Sequence, residues 1–331
     1  MNQTELAFFL IIIAGLLQGT FAIFIKNIAP LKWENFWIIF SLFSFLLGPL
    51  LFAYFQIQNL FPILFSLPPT SLYLPLFFGM VWGIGAILFG LCVIKIGVAL
   101  TYSIVLGLVA VIGSVLPIFI NHISFTPQAF IFLLIGLLII VSGVFLSGFA
   151  GVLKEKIRNP KQSIALDGII LAVISGFSSS LLNVGFITGK DISLHAQKFG
   201  VPDINASSLV WLVVLFGGLI TNFGYAFFIL IKNKTFRVYK RLTRRLFLPI
   251  FISALFWYAT FALFGIGSVK LGSLGPSVGW AMLISLSIVV SNVWGIKFKE
   301  WKGGVKKALK LQLGALGLII VGVAFVTLSA F

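Results

Sequence analysis

The segment Trp82–Gly97, WGIGAILFGLCVIKIG, recurs in the second half of the chain as WYATFALFGIGSVKLG, at Trp257–Gly272. Six of the 16 positions are identical without a gap, and they include the tryptophan, the lysine and two glycines. A second correspondence joins GLLIIVSGV, from Gly136, to GLIIVGV, from Gly317. Chance similarity between apolar helices is the alternative, but the fixed spacing of Trp, Lys and Gly argues against it. The pattern therefore predicts an internal repeat, which decides the architecture of the chain.

The repeated segments belong to apolar runs of about 20 residues, the length of a helix that spans a hydrocarbon core of about 30 Å. The chain has 331 residues, of which 60% are hydrophobic and 9% charged, whereas about 25% charge is typical of a soluble domain. In lipid the backbone must satisfy its own hydrogen bonds, so these runs are predicted to be helices. We therefore predict an all-α polytopic membrane protein with ten spans, over residues 5–25, 35–55, 73–93, 98–120, 128–148, 168–188, 209–231, 248–269, 276–296 and 309–330.

The repeat divides these ten helices into two sets of five. We predict a first repeat over residues 1–150, a basic cytoplasmic linker over 151–167 and a second repeat over 168–331. Because five is odd, the second copy enters the membrane upside down, so Lys95 and Lys270 face opposite sides although they are equivalent in sequence. Inverted repeats are a common plan of secondary carriers.

The positive charge is distributed unevenly between the loops. Twenty of the 23 lysines and arginines lie in the odd-numbered loops, and only Lys190, Lys198 and Lys270 lie in even-numbered loops. The positive-inside rule then places the odd-numbered loops in the cytoplasm and both termini outside. Orientation and contact with anionic lipid headgroups account for the net charge of +16. We expect no binding of nucleic acid, because no soluble module presents these charges.

The sequence predicts neither a metal site, nor a cofactor, nor an enzyme. Cys92 is the only cysteine, which excludes an internal disulfide and a cysteine-based metal site. His122 and His195 lie in different predicted loops. Catalysis in the membrane would need paired acids, a metal cluster or an activated nucleophile, and none of the seven acids lies in the middle of a span.

Neutral polar side chains, in contrast, occur at membrane depth, where polar groups are costly and usually functional. Amide and hydroxyl groups beside aromatic planes suit an uncharged sugar, because its hydroxyls need donors and acceptors while its C–H face packs on a ring. Small polar residues also hold membrane helices together, which is the alternative role. The predicted substrate-binding residues are Gln18, Trp82, Tyr102, Ser179, Asn183, Trp257, Tyr258 and Trp280.

Five segments are distinctive: KWENFW at 32–37, WGIGAILFGL at 82–91, GLVAVIGSVLP at 107–117, GIILAVISGFSSS at 168–180 and SNVWGIKFKEWKG at 291–303. In these segments the chain resembles the L-rhamnose–proton symporters of the drug/metabolite transporter superfamily. The resemblance runs through most of the chain. It implies ten helices, a multi-pass protein of the inner membrane, and uptake of a sugar driven by a proton gradient.

Together these patterns predict a secondary carrier that moves a neutral sugar, rhamnose or a related monosaccharide, by alternating access with proton coupling. An uncoupled sugar facilitator stays open as an alternative, because a buried carboxylate is the natural proton carrier and the spans have none at their centres. A metabolite or drug exporter of the same superfamily is the other alternative. Glu34, at the start of the second span, is the candidate for proton coupling; stabilisation of that glutamate by the helix dipole is its structural alternative.

Overall fold

Ten long apolar helices make up most of the protein, as a computed structural model describes it over residues 2–26, 28–158, 166–301 and 305–331. Each is long and apolar enough to cross a membrane. We number them in chain order: α1 Gln3–Ile25, α2 Trp33–Gln56, α3 Pro69–Ile96, α4 Val98–Ile120, α5 Pro127–Ile157, α6 Leu166–Lys198, α7 Asp203–Asn233, α8 Arg244–Lys270, α9 Gly272–Lys297 and α10 Lys306–Leu328.

The helical fold class and the ten predicted spans are confirmed, and most of the helices extend a few residues beyond the predicted ends. The longest differences fall on the fifth helix, which continues to Ile157, and on the sixth, which continues to Lys198. The first residues of the predicted basic linker thus continue α5, and residues 159–165 of that linker lie outside the described part of the chain. The division into two repeats stays a prediction.

Two helices depart from regular α-helical hydrogen bonding at or next to a proline. In α2, residues Phe43–Leu47 form a π turn, and the Gly48 N–H donates to the carbonyl of Phe43, five residues back. The following Pro49 has no N–H to continue the α ladder, so the wider turn accommodates it. In α9 a second π segment, Gly275–Gly279, contains Pro276. Such turns are common at functional sites, and both lie close to the residues described below.

The helix packing follows a pattern that a repeat of five helices predicts. In such a repeat α1 corresponds to α6, α2 to α7, and so on through α5 and α10. Under this correspondence the contacting pair α3–α6 becomes α8–α1, and the pair α4–α6 becomes α9–α1. Likewise α4–α5 becomes α9–α10, and α3–α7 becomes α8–α2. The pairs α5–α10, α2–α7 and α4–α9 are their own counterparts, and all of these pairs are in contact.

The two ends of the helix bundle differ in charge. We call the end that carries the odd-numbered loops the basic end and the other the opposite end. At the basic end, Lys26 pairs with Glu300 at 2.5 Å, and Lys95 pairs with Asp167. Both pairs join residues that are far apart in sequence, so they tie distant segments of the chain together at this end. Among the described residues, no ion pair joins helices at the opposite end.

Candidate functional site

A cluster of aromatic side chains occupies the centre of the bundle, and its key contact is between repeat-equivalent residues. Trp82 of α3 and Trp257 of α8 stack with ring centroids 5.6 Å apart and an interplanar angle of 27°. Phe45, from the π turn of α2, packs edge-on against both indoles, at 5.2 and 4.8 Å. From Trp257, ring contacts continue through Phe261 to the other members. The central aromatic cluster comprises Phe45, Trp82, Phe186, Trp211, Trp257, Phe261, Phe264 and Trp280.

Trp280 is held at one edge of this cluster by α4. Its indole N–H donates to the carbonyl of Val109 at 3.0 Å. The indole lies so close to Gly113 that a Cβ there would come within 2.2 Å of Nε1. Glycine is therefore required at position 113 for the tryptophan to be inserted between α4 and α8.

Asn183 of α6 joins the same region from the other side. Its Nδ2 donates to the carbonyls of Gly113, at 2.8 Å, and Pro276, at 2.7 Å. Pro276 lies in the π segment of α9, where the regular helical hydrogen bonds are displaced. One amide thus connects three helices at the point where α9 is irregular.

Several buried polar atoms have no hydrogen-bond partner in the described part of the chain. They are Gln18 Oε1, Asn183 Oδ1, Trp211 Nε1, Tyr258 Oη and Ser285 Oγ. Native proteins satisfy nearly all such groups, so each exception calls for an explanation. All five are uncharged, and together they offer both donors and acceptors. They lie on five different helices, and those of Asn183 and Trp211 belong to residues beside the aromatic cluster.

A cavity of about 540 Å³ reaches the aromatic cluster from the opposite end. Phe186 and Pro276 line it, and so does Ser207, which lies beside Gly265, as the indole nitrogen of Trp211 does. His122 and Lys190 lie at its surface-exposed part. Two unpartnered atoms, on Trp211 and Asn183, thus belong to residues at or beside the floor of this cavity.

A second cavity, of about 230 Å³, enters from the basic end between α1, α4, α5, α9 and α10. It is lined by polar and aromatic side chains, among them Tyr102, Asn292 and Gln312, with Lys26 and Glu300 at its edge. The protein therefore has a cavity at each end, with the central aromatic layer in between.

The structure brings some of the predicted substrate-binding residues together and separates others. Trp82, Trp257, Trp280 and Asn183 meet at the centre, as described above. Gln18 is half-buried at the depth of Trp257, since the flanking α1 carbonyls of Ala14 and Phe21 accept hydrogen bonds from Thr260 and Ser253 of α8.

The other predicted residues lie elsewhere. Tyr258 faces α2, with its ring 6.0 Å from that of Phe52 and its hydroxyl buried without a partner. Ser179 packs against the backbone of α3 at Gly85. Tyr102 is 39% exposed and lines the basic-end cavity.

Glu34, the predicted proton-coupling residue, is buried near the basic end rather than in either cavity lining. Its Oε1 accepts hydrogen bonds from Asn233 Nδ2 at 3.1 Å and from Thr235 Oγ1 at 2.9 Å. The carboxylate therefore links α2 to the end of α7.

Sequence reasoning did not select several residues that the structure places at these sites. Trp211 is fully buried in the central cluster. A tryptophan in the middle of α7, away from both membrane interfaces, was a signal in the sequence that could have indicated this. Gln312 is 1% exposed, and a single amide in an apolar span was a detectable signal. The position of Trp294 and Trp301 beside a cavity had no signal in the sequence, because both read as interfacial tryptophans.

Ten membrane helices, a cavity at each end and neutral polar atoms between them define a membrane transporter. The sequence profile described as L-rhamnose-proton symport protein (RhaT) matches residues 2–330. The chain belongs to this family, which confirms the resemblance and the prediction that it is not an enzyme.

Relatives named L-rhamnose-proton symporter cover nearly the same length. The one from Pectobacterium atrosepticum is 28% identical over 311 residues, which is 89% of each chain. Those from Yersinia pestis and Yersinia pseudotuberculosis are 28% identical over 309 residues, again 89% of each chain.

We predict that Asn183→Leu lowers the melting temperature more than Asn205→Leu does. The first change leaves two buried carbonyls unpaired, at about 1–3 kcal/mol each. Asn205 is the control because its amide donates to a single carbonyl, that of Gln56, in a less buried position. Unfolding in detergent is measured by reaction of a maleimide dye with Cys92, the only cysteine, which is fully buried when the protein is folded. Equal shifts for the two variants would contradict the structural role of Asn183.

Proposed function

We propose that this protein carries L-rhamnose or a closely related neutral monosaccharide across the inner membrane together with a proton, by alternating access. The observation that carries the proposal is the pair of cavities, one at each end of the bundle, with the uncharged, unpartnered polar atoms of Asn183 and Trp211 beside the larger one. A sugar hydroxyl both donates and accepts, so it satisfies such atoms, while its C–H face packs on indole planes. The names of the relatives favour rhamnose as the sugar and a proton as the coupled ion.

Trp82 and Trp257 are the proposed centre of the sugar site. They occupy equivalent positions in the two halves of the chain, and they stack on each other. In an alternating-access cycle, exchange of roles between two similar halves exposes such a centre first to one side and then to the other. The helix pairs that correspond under the five-place exchange support this proposal.

The basic end is the proposed cytoplasmic side, because it carries 20 of the 23 lysines and arginines. Both termini are then outside, and the basic loops contact anionic lipid headgroups. The larger cavity opens to the outside, where a sugar to be taken up arrives.

An uncoupled facilitator is the second candidate function, and the position of the acids favours it. The chain has seven carboxylates, and none of them belongs to the central aromatic cluster. Glu34 is the proposed proton carrier if coupling occurs, since it is the acid buried within a membrane helix. An exporter of metabolites or drugs is the third possibility, and the same experiment decides among them.

In proteoliposomes, we expect labelled L-rhamnose to accumulate above equilibrium when the lumen is made alkaline. A proton that moves down its gradient supplies the free energy for accumulation, so dissipation of the gradient should reduce uptake to equilibration. Glu34→Gln should equilibrate the sugar but no longer accumulate it. If uptake by the native protein is the same with and without the proton gradient, the protein is a facilitator. If no monosaccharide is taken up, the exporter is favoured.

We expect the single changes Trp82→Ala, Trp257→Ala and Gln18→Leu to lower the rate of sugar transport, by about tenfold where an aromatic stacking contact is lost. Trp33→Ala is the matched control, because Trp33 is 41% exposed at the start of α2 and stacks only on the periphery of the bundle. Initial rates at low sugar concentration measure the effect. Unchanged rates in all three site variants would place the sugar elsewhere.

The proposed orientation predicts that cysteines at positions 95 and 270 react from opposite sides of the membrane. Lys95→Cys and Lys270→Cys, each with Cys92→Ala, are labelled by a membrane-impermeant maleimide in right-side-out and inside-out vesicles. Lys240→Cys and Lys198→Cys serve as markers of the basic and opposite ends. Labelling of positions 95 and 270 from the same side would exclude the inverted repeat.

A further inference from the structure

The basic-end cavity has a lining that the proposed central site does not explain. Its volume of about 230 Å³ lies below the about 300–1,000 Å³ of pockets that hold drug-sized ligands. A ligand of this cavity is therefore the size of a single sugar ring or smaller.

The charges around this cavity balance. Lys26 and Lys154 face it together with Glu155 and Glu300, and Lys26 is paired with Glu300 at 2.5 Å. An anion or a cation in this cavity would therefore face as many charged groups of its own sign as of the opposite sign. The lining thus favours a solute that is polar but carries no net charge.

Acceptors for hydroxyl groups are available on two of the five helices. The Ser103 and Ser291 hydroxyls donate to carbonyls of their own helices, at 2.9 and 3.0 Å, so their oxygen lone pairs are free to accept. Asn292 Nδ2 donates to the carbonyl of Ile288 at 2.8 Å, and its Oδ1 has no hydrogen-bond partner in the described ranges. All three residues line the cavity.

Donors and aromatic surfaces complete the set. The Tyr102 hydroxyl and the Trp301 indole N–H line the cavity, and neither has a hydrogen-bond partner among the residues described. Trp294 presents a third ring, and its N–H is fixed by Thr20 Oγ1 at 3.0 Å. Rings that are held in place by other contacts are suited to pack on the C–H face of a sugar.

We infer that the basic-end cavity is a second monosaccharide site, which holds the sugar in its last position before release at the basic end. The inference rests on the proposed function, since it assigns this site to the same transported sugar. Asn292, Ser103 and Ser291 accept hydrogen bonds from the sugar hydroxyls, Tyr102 and Trp301 donate to them, and the Lys26–Glu300 pair forms the outer edge of the site.

The distinguishing measurement is the half-saturating sugar concentration on each side of the membrane, obtained from exchange of labelled L-rhamnose in oriented proteoliposomes. For Tyr102→Phe and Asn292→Leu we expect about a fivefold rise at the basic end, as for the loss of one hydrogen bond, and less than a twofold change at the opposite end. Tyr73→Phe is the control, because this tyrosine is 65% exposed on α3 and lines neither cavity.

A protection experiment tests occupancy directly. Ser291→Cys, with Cys92→Ala, should react several-fold more slowly with a thiol reagent when L-rhamnose is present, whereas Lys240→Cys should react at the same rate with and without the sugar.

The outcomes separate the two proposals. The second site would be overturned if the half-saturating sugar concentration at the basic end were the same in Tyr102→Phe, Asn292→Leu and Tyr73→Phe and if the sugar did not protect Ser291→Cys. Normal transport in these variants would leave the carrier function intact. If the native protein moves no monosaccharide, the proposed function is wrong and the second site falls with it.

Discussion

The stacking of Trp82 on Trp257 is the contact on which the rest of the structure depends. It joins α3 to α8 at positions that the repeat makes equivalent, so the two halves of the chain meet there through the same residue type. Phe45 and Phe261 pack against the pair and extend it into a layer that separates the two cavities. Lipid offers no hydrophobic driving force for helix association, so close packing of this kind holds such a bundle together.

The irregular segments of α2 and α9 are consequences of this arrangement. Phe45 reaches the tryptophan pair from within the π turn Phe43–Leu47, and Pro276 accepts the Asn183 amide from within Gly275–Gly279. In a regular helix each carbonyl already accepts one hydrogen bond, and a neighbouring side chain can add a second, as Trp280 does at Val109. Where the ladder is displaced, a carbonyl becomes available at membrane depth, and a side chain of another helix can bind it.

Much of the fold could be predicted from the sequence, because hydropathy reports length and burial in lipid, and these determine where helices run. The repeat drew attention to Trp82 and Trp257, and their stacking on each other is a finding of the structure. The sequence did not determine which way each helix is rotated. Tyr102 therefore belongs to the basic-end cavity instead of the centre, and Trp211 and Gln312 were not selected although both are buried. Rotation depends on packing between neighbours, which apolar runs without a polar face do not encode. None of the seven carboxylates lies in the middle of a predicted span, so the sequence alone does not distinguish a proton-coupled carrier from an uncoupled one.

The two ion pairs at the basic end make the two ends of the bundle unequal. Lys26–Glu300 and Lys95–Asp167 are exposed to solvent, so each contributes little free energy. Both nevertheless join segments that are far apart in the sequence, whereas the described residues of the opposite end form no such pair. Since dissolved ions screen exposed charges within about 10 Å, this difference between the two ends weakens as the salt concentration rises.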